Sequence, residues 1–223
     1  MPSINELFAS SDQPNSLGAK FRTARLKDFE SLFYGIFSKK KNLRILDVGG
    51  TDYFWKSSSI PDIEGTEITL LNLHLEKSSH PQIFAKIGDA TSMNEFSDGY
   101  FDLVFSNSVI EHLYDFENQL KMAQEVQRVG KHYFIQTPNR YFPVEAHYAF
   151  PFAQYLPKSL MYFFLTKTKL SRLKKWEPQE ARQYLEEIRL LSRKEMKTLF
   201  PNSNLYQEQV LGLTKSFAAH NLS

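Results

Sequence analysis

The sequence contains no cysteine, which excludes disulfides, thiolate nucleophiles and sulfur-ligated metals, and fits a reducing compartment. An excess of one charge is also missing. Lys and Arg total 27 against 25 Asp and Glu, a net +2 that is too small to argue for a nucleic-acid surface. No apolar run approaches the roughly 18 residues of a spanning helix. The opening stretch MPSINELFASSDQPNSLGAK lacks the apolar region of a signal peptide, so a soluble, cytoplasmic protein is expected. Internal repeats and low-complexity tracts are absent, as is the G-x-G-x-x-G pattern of nicotinamide enzymes. What is there instead is aromatic: 14% of the chain, including 19 Phe among 223 residues. That length corresponds most simply to one domain, residues 1–223.

Residues 1–18 read as a polar arm. Phe21, Leu26, Phe29, Leu32, Phe33 and Phe37 then recur near helical spacing, which predicts a helix with one apolar stripe and makes 1–40 an N-terminal arm and helix. Five short apolar, β-branched runs follow at 43–48, 65–73, 82–89, 100–107 and 131–139. FENQLKMAQEVQRV reads as a helix stopped by Gly130. Strands alternating with helices predict an α/β fold, a Rossmann-like doubly wound sheet, mostly parallel, with helices on both faces. Near the C-terminus, Ser192 and Glu195 carry capping-box spacing for a last helix. The run NLYQEQVLGLTKSFAAH reads as two strands around Gly212 that must pair antiparallel, since no crossover helix separates them.

The first strand, LRILDV, ends in Asp47 and Val48 and is followed at once by Gly49, Gly50 and Thr51. In open α/β sheets ligands sit beyond the C-terminal strand ends, and glycine there lets the backbone turn with positive φ and approach closely. The third strand ends in Gly88, Asp89 and Ala90, and the fourth in Asn107 and Ser108. On ILDVGG, GDATSM and FDLVFSNSVIEHL the chain resembles the class I S-adenosylmethionine-dependent methyltransferases, in particular small bacterial members of the type 11-like group. The resemblance covers about residues 43–139, with a compatible ending at 192–219. It implies S-adenosyl-L-methionine as cofactor, held around Asp47, Gly49, Gly50, Thr51, Asn72, Leu73, Asp89, Ala90, Asn107 and Ser108. Two positions depart from the family: Thr51 replaces the second glycine, and Asn72 stands where an acid usually holds the ribose hydroxyls. An amide there accepts and donates without the charge assistance of a carboxylate. Those departures support an alternative, a non-catalytic interaction module that keeps the fold.

Methyl transfer to oxygen needs positioning and removal of the acceptor's proton. Candidates are Glu111 and His112 after the fourth strand and Glu145 and His147 after the fifth, with His147, Glu111 and His112 as the predicted catalytic residues and His147 as the base. In many relatives an equivalent EH helps shape the methionine end of the cofactor pocket. EH followed by TPN…H also resembles the metal-assisted small-RNA 2′-O-methyltransferases. Those carry an additional acid three residues before EH, where this chain has Ser108. Glu111, His112 and His147 could still ligate a divalent ion, but no metal is assigned. Residues 140–190 are too long for a simple connection and read as a helical, aromatic-rich insertion, a lid or acceptor pocket. Between Glu145 and Glu177 there is no acid, and six bases, Lys158 to Lys175, follow the aromatics. The expected acceptor is a small molecule, a glycan or a lipid-linked compound, with no nucleic acid and with peripheral membrane contact through 141–175.

Overall fold

A computed structural model describes residues 17–145 and 147–223; the predicted arm at 1–18 lies almost wholly outside the described residues. Helix α1 (Leu17–Phe37) leads into strand β1 (Arg44–Val48), the short helix α2 (Asp52–Trp55), β2 (Glu67–Asn72), β3 (Ile83–Ile87) and β4 (Phe101–Asn107). Helix α3 (Phe116–Val129) and strand β5 (Gly130–Pro138) follow. The insertion then supplies a hairpin of β6 (Val144–Glu145) and β7 (Phe150–Pro151), with helices α4 (Lys158–Lys167) and α5 (Pro178–Glu187). Helix α6 (Arg193–Leu199), β8 (Asn204–Val210) and β9 (Leu213–His220) complete the chain.

The main sheet has the order β3-β2-β1-β4-β5-β9-β8. It is parallel from β3 to β5, and β9 runs antiparallel to both β5 and β8. The strand order therefore reverses between β1 and β4, where a ligand crevice belongs. β4 is buried on both faces along Phe101–Ser106, as a central parallel strand must be. On one face Met122, Ala123, Val126 and Val129 of α3 pack with Met196 and Leu199 of α6, the period of an amphipathic helix seam. On the other, Phe29 of α1 meets Phe105 and Phe134 with ring centroids 4.7 and 5.1 Å apart. Much of the aromatic surplus thus serves α1, whose stripe buries Leu26, Phe29, Phe33 and Phe37.

Helices cover both faces as expected, but the regular strand–helix alternation does not hold. The β2–β3 and β3–β4 connections carry no helix. Their sequences, HLEKSSHPQ and DATSMNEFSDG, are too rich in turn residues and too short of apolar repeats to make one. Edge strand β3 consequently leaves Phe84 and Ile87 exposed. The predicted cap of α6 is present in full: the Ser192 hydroxyl accepts from the Glu195 amide while the Glu195 side chain accepts from the Ser192 amide.

The insertion begins and ends at the same sheet edge, because Asn139 bridges Leu191 and the Arg140 amide donates to the Leu191 carbonyl. It folds around a small core of its own: Tyr148, Met161, Leu165, Trp176 and Ala181. Among the described residues no helix is long and apolar enough to cross a membrane.

Candidate active site

The turn after β1 is built from inside. Gly49 has φ +72°, and a Cβ there would come within 2.5 Å of Val109, so the turns after β1 and β4 interlock. At Gly50 a Cβ would fall 1.8 Å from the Asp47 carboxylate. The glycines are therefore required by packing between protein groups, beyond any ligand's approach. Gly50→Ala is expected to cost about 1–3 kcal/mol, the scale of overpacking, and to weaken cofactor binding, because that carboxylate is buried and cannot step aside. Gly35, a helical glycine with nothing within 4 Å of its Cβ position, is the control; Gly35→Ala should stabilise by roughly 0.5–1 kcal/mol. Urea unfolding of both variants checks the contrast, and equal stabilities would refute it.

Asp47 lies under this turn, 1% exposed, with Oδ2 accepting from Trp55 Nε1 at 2.8 Å and Oδ1 lacking a hydrogen-bond partner among the described residues. Burial pushes its carboxyl up to about 8, against the smaller opposing pull of the Trp55 bond. A folded pKa above the unfolded value of about 3.9 means that the native state holds the proton through the intervening range. Stability is then fully present below the unfolded value, declines as pH rises, and levels above about 8. Asp47→Asn, which still accepts from Trp55, should lose less stability between about pH 5 and pH 8 than the parent. Denaturant titrations at the two pH values measure it; parallel losses would exclude the effect.

Around the crevice, Asn72 donates its amide to the Gly50 carbonyl at 2.8 Å, so one of its donors fastens the glycine turn and its oxygen remains the acceptor. Thr51 is the N-cap of α2, and its side chain forms no cap bond. Leu73 is 69% exposed at the end of β2. Asp89 is exposed and bends back, accepting from the Thr91 amide and hydroxyl at 2.8 Å each; Ala90 packs partly against the core. Asn107 accepts from Arg25 Nη1 at 2.5 Å. Ser108, with φ +60°, bonds through its hydroxyl to Gln136 Oε1 at 2.8 Å.

The residues predicted to be catalytic come together. Glu111 is completely buried, its Oε2 accepting from the Thr137 hydroxyl at 3.0 Å, while Oε1 has no hydrogen-bond partner among the described residues and stands 3.9 Å from His147 Nε2. His112 Nδ1 lies 2.6 Å from Glu187 Oε1, and its Nε2 lies 3.1 Å from His147 Nε2. Both nitrogens of His112 thus face the insertion. Only the backbone of Glu145 is described, as one strand of the β6–β7 hairpin.

Backbone bonds fix this geometry across 70 residues of sequence. Arg189 donates its amide to the Glu111 carbonyl at 2.7 Å, and Tyr114 donates its own to Glu187 at 3.0 Å. Gln119 ties the carbonyls of Ile110 and Arg189 together at 3.0 and 2.8 Å. On the other side, Arg172 Nε donates to the His147 carbonyl at 2.8 Å and Ser171 Oγ to the Tyr148 carbonyl at 2.6 Å. Two partners escaped the sequence reading: Thr137, in strand β5, and Glu187, on what reads as a solvated helix face. Neither carries a local signal, since each acts through a residue far along the chain.

Residues 54–134 match the model of a methyltransferase-domain family. None of the curated proteins compared matches the chain. Among solved structures, a carbon methyltransferase, CurJ, shares 11% identity over 97% of this chain and 56% of its own, with a TM-score of 0.55. A protein from Bordetella parapertussis described as exported shares 12% over 91% and 66%, with a TM-score of 0.54. A methyltransferase from Aquifex aeolicus dependent on S-adenosylmethionine shares 15% over 91% and 96%, with a TM-score of 0.49. At such identities the structural likeness is one of fold. Over residues 54–134 the chain thus matches a methyltransferase domain, and its sheet order and strand-end motifs are in keeping with the Rossmann-like methyltransferase fold. S-adenosyl-L-methionine is the cofactor that such a domain implies.

Proposed function

We propose that the enzyme transfers the methyl group to an oxygen of a small-molecule, glycan or lipid-linked acceptor in the cytoplasm, with the insertion at 140–190 as its acceptor pocket. The observation that carries this reading is the convergence of Glu111, His112 and His147 beside the β1–β4 crevice, two residues beyond Val109, whose side chain occupies the space beside Gly49. The cofactor is held by the turn at Gly49–Thr51, by Asn72 and Leu73 on the ribose and adenine side, by Asp89 and Ala90, and by Asn107 and Ser108. In the reaction the acceptor O–C bond forms as the C–S⁺ bond breaks. S-adenosylhomocysteine leaves, and the hydroxyl proton is surrendered at the histidine–carboxylate cluster. In-line placement supplies much of the acceleration and proton removal the remainder.

A lipid-linked acceptor is supported by the insertion's surface. Tyr141, Phe152, Tyr155, Phe163, Leu170 and Leu173 are all more than half exposed, in a segment whose only charges between Glu145 and Glu177 are basic. That composition suits an anionic interface.

The test is incubation of metabolite and lipid extracts with the enzyme and methyl-labelled S-adenosylmethionine, followed by mass spectrometry. Label on an oxygen of a small molecule or lipid is the expected result. Label confined to RNA or protein, or found on carbon or nitrogen, overturns the acceptor assignment. Cofactor binding with no turnover on any extract favours the interaction module.

A further inference from the structure

We propose that Glu111, His112 and His147 hold a divalent transition-metal ion, and that this ion, with the three residues as its ligands, activates the acceptor's hydroxyl. The inference rests on the methyltransferase reading for its role, but on geometry alone for its site. One ligand atom from each residue lies within 4.8 Å of the others. The two imidazole Nε2 atoms are 3.1 Å apart. That matches the separation of roughly 3.0–3.4 Å between adjacent ligands on an ion with bonds of ~2.0–2.1 Å.

Three further features point to a cation. Glu111 Oε1 is a wholly buried carboxylate oxygen without a hydrogen-bond partner among the described residues, and such groups need a positive or protic neighbour. It faces His147 Nε2 at 3.9 Å, and an ion would draw the three ligand atoms together from their present spacing of up to 4.8 Å. Glu187 can only accept at 2.6 Å from His112 Nδ1. That places the His112 proton on Nδ1 and leaves Nε2 a lone pair aimed at the shared point. Thr137 donates to the other oxygen of Glu111 at 3.0 Å, fixing which carboxylate oxygen remains to ligate. Glu111 and His112 thus each have the outer partner that metal sites use for orientation.

Two imidazoles and one carboxylate suit manganese, iron, cobalt, nickel or zinc rather than magnesium or calcium, which favour all-oxygen shells. Three protein ligands leave positions open. An acceptor hydroxyl bound there would become more acidic and would lose its proton to solvent, so the ion would replace direct proton transfer to the histidine–carboxylate cluster. No redox change is involved. His147 comes from the insertion and Glu111 and His112 from the β4 turn, so the ion would also fasten the insertion to the sheet.

The experiment uses the untagged, cofactor-free full chain, titrated calorimetrically with manganese, cobalt and zinc chlorides. One ion per chain is expected, with a visible ligand-field band for cobalt. His147→Ala should weaken binding at least 10-fold. Glu187→Gln, which keeps all three ligands, should weaken it by about 10–100-fold, the scale for outer partners. Absence of binding by all three ions to protein that circular dichroism shows folded overturns the proposal, as does affinity unchanged in folded His147→Ala. Parallel titration with S-adenosylmethionine separates the two readings. Cofactor binding without metal binding refutes the ion alone, and metal binding without cofactor binding refutes the methyltransferase role alone.

Discussion

His147→Ala is expected to lower turnover by about 10²-fold or more, the scale for losing the group that manages an acceptor's proton, while S-adenosylmethionine affinity stays within a few-fold. The split follows from where the residue sits. Its Nε2 is 3.1 Å from His112 and 3.9 Å from Glu111, and its backbone is clamped within the insertion by Arg172 at 2.8 Å. The glycine turn and Asn72, by contrast, are joined to each other at 2.8 Å without it. Removing the imidazole therefore disturbs the acceptor side and spares the cofactor side. His112→Ala should give a comparable loss of turnover, since its two nitrogens bond to His147 and Glu187. Single-turnover rates with labelled cofactor, alongside calorimetric affinity, measure both quantities. A His147→Ala enzyme whose cofactor affinity falls as far as its turnover would place the residue in the structural shell of the pocket instead.

The sheet was legible because its strands are buried and bounded by glycine and proline, and because α1, α3 and α6 each carry a helical stripe or a cap that acts over a few residues. The gathering of Glu111, His112 and His147 was legible only as three residues following two strand ends, a consequence of parallel topology. What holds them was not. Glu187 lies 75 residues from His112, and Thr137 lies 26 from Glu111. Pairing at that range is decided by how the insertion folds back on β5, which no periodicity encodes. The same limit applies to Gly50. Its sequence signal is a turn, whereas the reason it cannot be alanine is the carboxylate beneath it. The missing helices beside β3 are the converse case, since strand spacing alone predicts crossovers there and the connections are too polar and too rich in turn residues to form them.

Arg25→Ala is expected to destabilise the fold by about 3–5 kcal/mol, the cost of stranding one member of a buried ion pair. Arg25, on α1, is 6% exposed and reaches three strands. Its Nη2 donates to Glu208 of β8 at 2.9 Å, and its Nη1 donates to Asn107 of β4 at 2.5 Å and to Gln136 of β5 at 3.2 Å. Burial pushes the Glu208 carboxyl up, but the charges of Arg25 and Lys215 and the Ser216 hydroxyl together hold it below its ordinary value. Lys215 also reaches Glu208 at 3.1 Å. Burial lowers that ammonium despite the carboxylate beside it; Arg25 is the larger of the two charges that hold Glu208 ionised, and Lys215, which remains beside it, moderates the loss toward the lower figure. With the folded pKa depressed, the stabilisation is present above the unfolded value of about 4.3 and disappears as pH falls through the folded one. The gap between parent and Arg25→Ala should accordingly narrow below about pH 4. Glu208→Gln placed on Arg25→Ala should recover part of the loss, because the stranded charge is gone. Cofactor affinity should fall as well, since Arg25 shares Asn107 and Gln136 with the turn at Ser108. Urea unfolding near neutral pH measures the first effect. A loss under about 1 kcal/mol, the range of exposed pairs, would mean that α1 is held to the sheet by its phenylalanines alone.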